Sequence, residues 1–385
     1  MEEPYFYKDT ERKDGYIMAD LLLARAHTTE QGVSCLSFVE EYDIPPAIQV
    51  INQTNVAVND GDIWHVELER QEKSRKGTST SFVRLISRKT ELADWQKIKE
   101  LPGHWTDPLM LSQLLNWLNN GTNVILLGDK GSGKTTLGYA VAHALHWQEP
   151  CKVDIETIKH GNDMFGSDAA VNASTKFVKS AFADYVERAN IAYAQGLNTH
   201  FLVILDEINR IHEKSHQGMH GLFDDTGQIA ITTTDGSVTI RLSPNIHFIG
   251  TMNQGAQHQD VFSLGTALQD RFGFIWVESM PEDFEVKKLK DEVGISERAA
   301  LAIVQVARAI RDLAHSGAIS YAPSYRGCRN TARLMLGGWK LKLAVVRGLL
   351  DKYSSDIKVL KDGTIDVKSG TEAAKAFATL TMKIP

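Results

Sequence analysis

Gly128-Asp129-Lys130-Gly131-Ser132-Gly133-Lys134-Thr135 fits G-x-x-x-x-G-K-[ST], a loop pattern that wraps backbone N–H groups around phosphate oxygens. Its flanks fit as well. Asn123-Val124-Ile125-Leu126-Leu127, just upstream, is a short apolar run and reads as a buried parallel strand. Thr136 to Leu145, just downstream, reads as a helix with Leu137, Ala140, Val141 and Ala144 on one stripe. Glycines let the backbone close on phosphate because no Cβ blocks the approach, and the helix N-terminus adds partial positive charge. Gly128, Asp129, Lys130, Gly131, Ser132, Gly133, Lys134, Thr135 and Thr136 are therefore expected to cradle a nucleoside triphosphate. Lys134 is expected to reach the β- and γ-phosphates, and the Thr135 hydroxyl to ligate Mg²⁺. A chance glycine-rich turn would explain neither flank.

Phe201-Leu202-Val203-Ile204-Leu205 is a second apolar strand, and it ends in Asp206-Glu207. A carboxylate there lies beside the phosphate loop, where Asp206 can hold Mg²⁺ through water. Glu207 is placed to polarise an attacking water, which points to hydrolysis rather than transfer. The bland alternative is that both merely cap the next helix. The phosphate loop upstream favours the catalytic reading. Ile246 to Met252 reads as a third strand, and the residue at its end, Asn253, is expected to orient the water.

From about residue 106 to about residue 344 the chain resembles an AAA+ ATPase, in particular the MoxR, gas-vesicle and metal-chelatase ATPase branch. The motifs are Gly128 to Thr136, Leu205-Asp206-Glu207-Ile208-Asn209-Arg210, Gly250-Thr251-Met252-Asn253, Leu268-Gln269-Asp270-Arg271-Phe272 and Ser324-Tyr325-Arg326. Two inserted segments agree, Met164 to Glu187 and a hairpin over Gln228 to Leu242. Cys151-Lys152-Val153-Asp154-Ile155 is similar to cobalt-chelatase ATPase subunits. The resemblance implies a hexameric ring that hydrolyses ATP with Mg²⁺ at subunit interfaces. It implies that Arg271 acts in the neighbour's site and that Arg326 contacts the γ-phosphate from a helical lid. It also implies mechanical remodelling of a protein partner, in many relatives one with a von Willebrand A domain. This sequence shows no such domain of its own. It departs from the pattern at Asp129-Lys130, where relatives often have a small residue and proline, and in its first hundred or so residues.

Composition agrees. Of 385 residues, 43% are hydrophobic and 23% charged, ordinary for a soluble globular chain. The net charge of −6 gives no global basic footprint for nucleic acid. Cys35, Cys151 and Cys328 are too far apart for a disulfide framework or zinc knuckle, and a reducing cytoplasm is the expected setting. The acidic, polar start is unlike a signal peptide, and no apolar run approaches the ~20 residues of a membrane span.

Five runs near the N-terminus read as strands: Gly15 to Ala24, Val33 to Val39, Ala47 to Ile51, Asp62 to Leu68 and Ser81 to Ile86. So many short strands in this length suggest a small OB-like β-barrel. Val58-Asn59-Asp60-Gly61-Asp62-Ile63-Trp64-His65-Val66-Glu67, then Lys76-Gly77, then Phe82-Val83-Arg84-Leu85-Ile86, is similar to the second half of a cold-shock-type domain, but the aromatic-rich first half is missing. A docking or ring-stabilising role competes with nucleic-acid binding, which is not favoured. His212-Glu213-Lys214-Ser215-His216 matches the H-E-x-x-H zinc-protease motif, with His220 one turn on. It directly follows Asp206-Glu207, so a helix of the ATPase core already explains it.

Phe284 to Val293, Ser296 to Ser316 and Gly327 to Tyr353 carry apolar residues at helical spacing and read as the lid. Leu360 to Val367 reads as a hairpin, and the remaining tail is uninformative. The expected organisation is α/β: a β-rich domain at 1–90, a connecting segment at 91–105, a P-loop core with a parallel sheet at 106–280, a helical lid at 281–353 and a tail at 354–385. The functional expectation is a ring-forming ATPase that remodels a partner protein. The alternatives are a nucleic-acid-associated motor and an ATP-gated scaffold with negligible turnover.

Overall fold

The computed structural model describes residues 6–7, 22–28, 34–38, 47–51, 58–59, 62–73, 79–89, 92–158, 161–171, 174–210, 219, 221–224, 226–233, 236–253, 265–360 and 364–383. The H-E-x-x-H stretch at 212–216, His220 and the expected strand start at 15–21 lie outside these residues.

Phe6–Tyr7 forms a short strand, β1. Leu22–Thr28 (β2), Ser34–Phe38 (β3), Ala47–Ile51 (β4), Ile63–Lys73 (β5) and Ser79–Arg88 (β6) form one sheet in the order β3-β2-β5-β6-β4. Its ladders are antiparallel except β4 on β6, which is parallel. Alternation places Ala24, Ala26, Leu36, Trp64, Val66, Val83 and Leu85 in one buried cluster. On the opposite face of β6, Ile86 joins the core of the next layer. Arg84 there pairs with Glu67 at 2.7 Å and with Glu187 at 2.9 Å. This sheet is therefore fastened to the next layer. The segment that follows it is also held, because Leu92, Trp95, Ile98 and Leu101 pack on the cluster around Leu114, Leu126 and Ile204.

Pro108–Asn119 (α1) starts where the Asp107 side chain accepts from the amides of Leu109 and Met110, with proline in the first turn. Then come Asn123–Gly128 (β7), Lys134–Ala144 (α2), Cys151–Asp154 (β8), a hairpin of Gly166–Val171 (β9) with Ser174–Lys179 (β10), and Ala181–Ala194 (α3). Phe201–Asp206 (β11), a hairpin of Gln228–Thr233 (β12) and Gly236–Arg241 (β13), Ile246–Asn253 (β14), Thr266–Gln269 (α4) and Phe272–Trp276 (β15) complete the core. β1 adds antiparallel to β13. The central sheet runs β15-β7-β14-β11-β8, every ladder parallel. Both its faces are covered, which is why these strands are continuous apolar runs rather than alternating ones. Ile125, Val203 and Phe248 face one core cluster, and Val124, Leu126, Leu202 and Ile204 face the other. This order brings the carboxyl ends of β7, β14 and β11 side by side, the edge where ligands of open α/β sheets bind.

The C-terminal layer contains Glu282–Val293 (α5), Glu297–His315 (α6), Tyr325–Leu336 (α7), Leu341–Leu349 (α8), the short strands Ile357–Val359 (β16) and Ile365–Val367 (β17), and Glu372–Lys383 (α9). The stretch of helical spacing from Gly327 to Tyr353 is divided between α7 and α8: Gly337 caps α7 and Gly338 takes φ +86, the left-handed turn that ends helices. The tail read as uninformative forms α9, whose Ala373 and Ala376 enter the same buried cluster as Ile303, Ile310 and Val345. Among the described residues no helix is long and apolar enough to cross a membrane.

Candidate functional site

The glycine loop leaves β7 and turns into α2 through left-handed backbone, with φ +85 at Gly131 and φ +91 at Gly133. A Cβ on Gly131 would lie 2.3 Å from Cβ of Ser324. Glycine is therefore required twice over, by backbone conformation and by the close approach of the lid. Lys134 is buried and donates from Nζ to the carbonyls of Gly128 at 2.9 Å and Asp129 at 2.7 Å. Burial pushes its ammonium down to about 8, against the opposing pull of Asp129, Asp206 and Glu207. Among the described residues Ser132 Oγ is buried without a hydrogen-bond partner, a donor left over in the loop that a phosphate oxygen would satisfy. The loop floors a cavity of about 530 Å³ walled by His104, Trp105, Asp206, Glu207, Asn253 and Arg326, among others. That volume lies in the range of small-molecule and cofactor pockets.

Across the loop stand the carboxylates. Asp206 ends β11, and its Oδ1 accepts from the hydroxyls of Thr135 and Thr251, both at 2.8 Å. Its Oδ2 pairs with Lys152 Nζ at 2.7 Å. Burial alone would raise the Asp206 pKa, but the bonds from Lys152, Thr251 and Thr135 outweigh it and hold it below its ordinary value. Glu207 follows in a left-handed conformation, φ +54, which is uncommon for a side chain of this size. Its amide donates to Thr251 Oγ1 at 3.0 Å, so one hydroxyl braces both acidic residues. Asn253 Nδ2 donates to Glu207 Oε1 at 3.1 Å, and Arg210 Nε pairs with Oε2 at 2.6 Å. Arg210 Nη1 in turn reaches Glu156 Oε2 at 3.0 Å.

The lid supplies the opposite wall. Ser324, Tyr325, Arg326 and Arg329 line the cavity from the start of α7. Glu292 on α5 accepts from Tyr325 Oη at 2.8 Å and Arg329 Nη1 at 3.0 Å. Lys288 Nζ donates to the Gly103 carbonyl at 2.7 Å, joining the lid to the segment ahead of the core. Beside it the His104 ring lies between the carbonyls of Trp105, 2.9 Å from Nδ1, and Gly133, 3.1 Å from Nε2. Burial, chiefly, lowers the His104 pKa.

The structure thus brings Lys130 to Thr136, Asp206, Glu207, Asn253 and Arg326 to one cavity, while Gly128 and Asp129 stand behind it and hold Lys134 through their carbonyls. Arg271 is elsewhere. It immediately precedes Phe272, which pairs with Asn123 at the start of β7, whereas the glycine loop leaves the other end. The two are separated by about 17 Å of strand, and Arg271 does not line the cavity. The sequence motifs contain Thr251, Lys152 and Arg210 but assign none of them a role. Thr251 is two residues before Asn253 and so on the same strand face, which is the signal that marks it. The grip of Lys152 depends on β8 lying beside β11, which no local pattern encodes.

Residues 123–272 match the model of the AAA domain (dynein-related subfamily). Residues 285–362 match that of the CbbQ/NirQ/NorQ C-terminal region. The chain is similar to BssE of Thauera aromatica, a protein named as a candidate chaperone: 25% identical over 190 residues, covering 49% of this chain and 62% of that protein, so the match spans less than two thirds of the relative. It is 25% identical over 245 residues to the uncharacterized protein SERP0979 of Staphylococcus epidermidis, covering 61% of this chain and 85% of that one. A solved RuvB variant of Thermotoga maritima aligns over 74% of this chain and 99% of its own at 14% identity, with a TM-score of 0.39.

Proposed function

We propose, from the premise that this chain belongs to the MoxR-like AAA+ ATPases, that it works as a ring, most simply a hexamer, that spends ATP hydrolysis on remodelling a partner protein. The observation that carries the reading is the coupling of the two acidic residues to the phosphate loop and to Asn253 through Thr135, Thr251 and Asn253 itself. A chain that only held ATP would have no need of a second carboxylate fixed there.

In this reading Lys134 and the loop amides hold the phosphates. The hard oxygens of Thr135 and Asp206, only 2.8 Å apart, suit Mg²⁺, which takes one or two protein oxygens and completes its shell with phosphate and water. Bound there, Mg²⁺ would offset phosphate charge. Glu207 takes a proton from the attacking water, Asn253 holds Glu207, and Arg326 approaches the phosphates from the lid. Arg271, too far from its own loop, serves the neighbour. The likeness to BssE supports a protein as the thing remodelled, and one bearing a von Willebrand A domain is a specific candidate.

The strand order and the single parallel ladder of the N-terminal sheet support an OB-like barrel. Because Arg84 and Ile86 of β6 are engaged with the ATPase core, we favour a docking or ring-bracing role over a nucleic-acid platform. The test is capture of partners on the Glu207→Gln protein with ATP, identified by mass spectrometry. A partner retained with ATP and released with ADP supports remodelling. Hydrolysis stimulated by nucleic acid, with no protein retained, would overturn it in favour of a motor.

A further inference from the structure

We infer that Arg210 is a positioning residue for Glu207, and that Glu156 is the anchor holding Arg210 in place. The inference rests on the reading of Glu207 as the base. Glu207 enters the cavity from a backbone fixed by Thr251, but its side chain still has three rotatable bonds between that backbone and the carboxylate. Among the described residues two contacts determine where it ends. Asn253 holds Oε1, and Arg210 holds Oε2 through Nε. A carboxylate gripped at both oxygens has one orientation; gripped at one, it swings about that contact. Each oxygen keeps a second lone pair, so the double grip leaves room to accept a proton.

Arg210 is itself directed from two sides. Its Nε faces Glu207 and its Nη1 faces Glu156, so one planar guanidinium bridges two separate carboxylates. Glu156 sits in the short turn Ile155–Thr157, directly after β8. Lys152, on β8 itself, holds Asp206. One segment, Cys151 to Thr157, thereby fixes both acidic residues, Asp206 directly and Glu207 through Arg210. A solvated ion pair would be worth little for stability. Its value here is geometric, because a carboxylate displaced by about 1 Å can cost on the order of a hundredfold in rate. The planar fork explains why arginine is used, since lysine offers one charged point and cannot span both partners in a fixed plane.

The experiment compares Arg210→Ala, Arg210→Lys and Glu156→Gln with the parent by steady-state ATPase kinetics and by fluorescent-nucleotide binding. Expected are a fall in kcat of roughly tenfold or more for Arg210→Ala, nucleotide affinity within about twofold of the parent, partial recovery in Arg210→Lys and a smaller kcat loss in Glu156→Gln. Combining Arg210→Ala with Glu207→Gln should add nothing beyond Glu207→Gln alone, because there is no base left to position. A parental or raised kcat in Arg210→Ala, loss of nucleotide binding in parallel with kcat, or further loss in the double variant each overturns the inference. If Glu207→Gln itself turns over at the parental rate, the assignment of the base has failed instead.

Discussion

Asn253 donates from Nδ2 to Oε1 of Glu207 across 3.1 Å, joining the end of β14 to the residue after β11. The side chain expected to orient the water therefore first orients the carboxylate proposed to activate it. Glu207→Gln should keep nucleotide bound and nearly stop hydrolysis, because Thr135 and Asp206 remain while the base does not. Asn253→Ala should lower kcat with little change in affinity, and Lys134→Ala should lose binding. Binding assays run beside turnover separate the three. Parental turnover in Glu207→Gln would sink the assignment.

Gly131 gives a test of the contact between loop and lid. Gly131→Ala combines a left-handed backbone with a methyl group driven into Ser324. Gly121→Ala is the control, with φ +77 but open space around the added methyl. Both pay about 1–2 kcal/mol in backbone strain. Only Gly131→Ala should also displace the start of α7 and weaken nucleotide binding and turnover by roughly tenfold or more. Equal activity in the two variants would show that the lid is not read through this contact.

His247 predicts how stability responds to acid. It is 4% exposed, its Nε2 lies 2.8 Å from Nδ1 of His200, and its ring stacks on Trp147 with centroids 4.3 Å apart. Burial, and then His200, push its pKa down to about 3. The unfolded chain binds this proton near pH 6.5 and the folded chain does not, so stability is full above that value and falls as pH drops towards 3. From pH 6.5 to pH 5 the loss from His247 is roughly 2 kcal/mol. His200, also lowered by burial, acts in the same direction. Thermal midpoints at pH 7 and pH 5 should differ less in His247→Gln than in the parent. An unchanged difference would mean that other groups govern the acid limb.

The parts of the site that were legible in the sequence are those whose chemistry is local. The glycine loop carries its own geometry, and Asp206-Glu207 follows a strand that its apolar run makes plain. What was not legible depends on pairing between distant strands. Lys152 faces Asp206 only because β8 lies beside β11. Arg210 stands three residues after Glu207, yet its second partner, Glu156, belongs to another turn. From Gly327 to Tyr353 apolar spacing marks helical structure, and the division into α7 and α8 falls at Gly337-Gly338, a stop signal that the spacing alone does not carry. The tail helix had its signal in Ala373, Ala376 and Phe377, at three- and four-residue spacing. Arg84 looked like one more barrel residue, and only the fold shows that it ties the N-terminal sheet to Glu187.

Arg271 carries the prediction about assembly. It lies at the amino edge of the central sheet and the glycine loop at the carboxyl edge, so it cannot serve the loop of its own chain without refolding β15. Arg271→Ala should abolish turnover while each subunit still binds ATP, since an arginine supplied in trans contributes ~10³–10⁵ in rate. Mixing this variant with Lys134→Ala subunits gives the sharper result. In a mixed ring an intact loop from one subunit faces an intact arginine from the other, so activity should return at those interfaces. The recovered rate should follow the fraction of such interfaces as the mixing ratio is varied, with a maximum near equal amounts. Turnover that stays at zero across all ratios, with co-assembly confirmed by native mass spectrometry, would count against this interface. Full activity in a monomer, established by light scattering at the assay concentration, would reject action in trans outright.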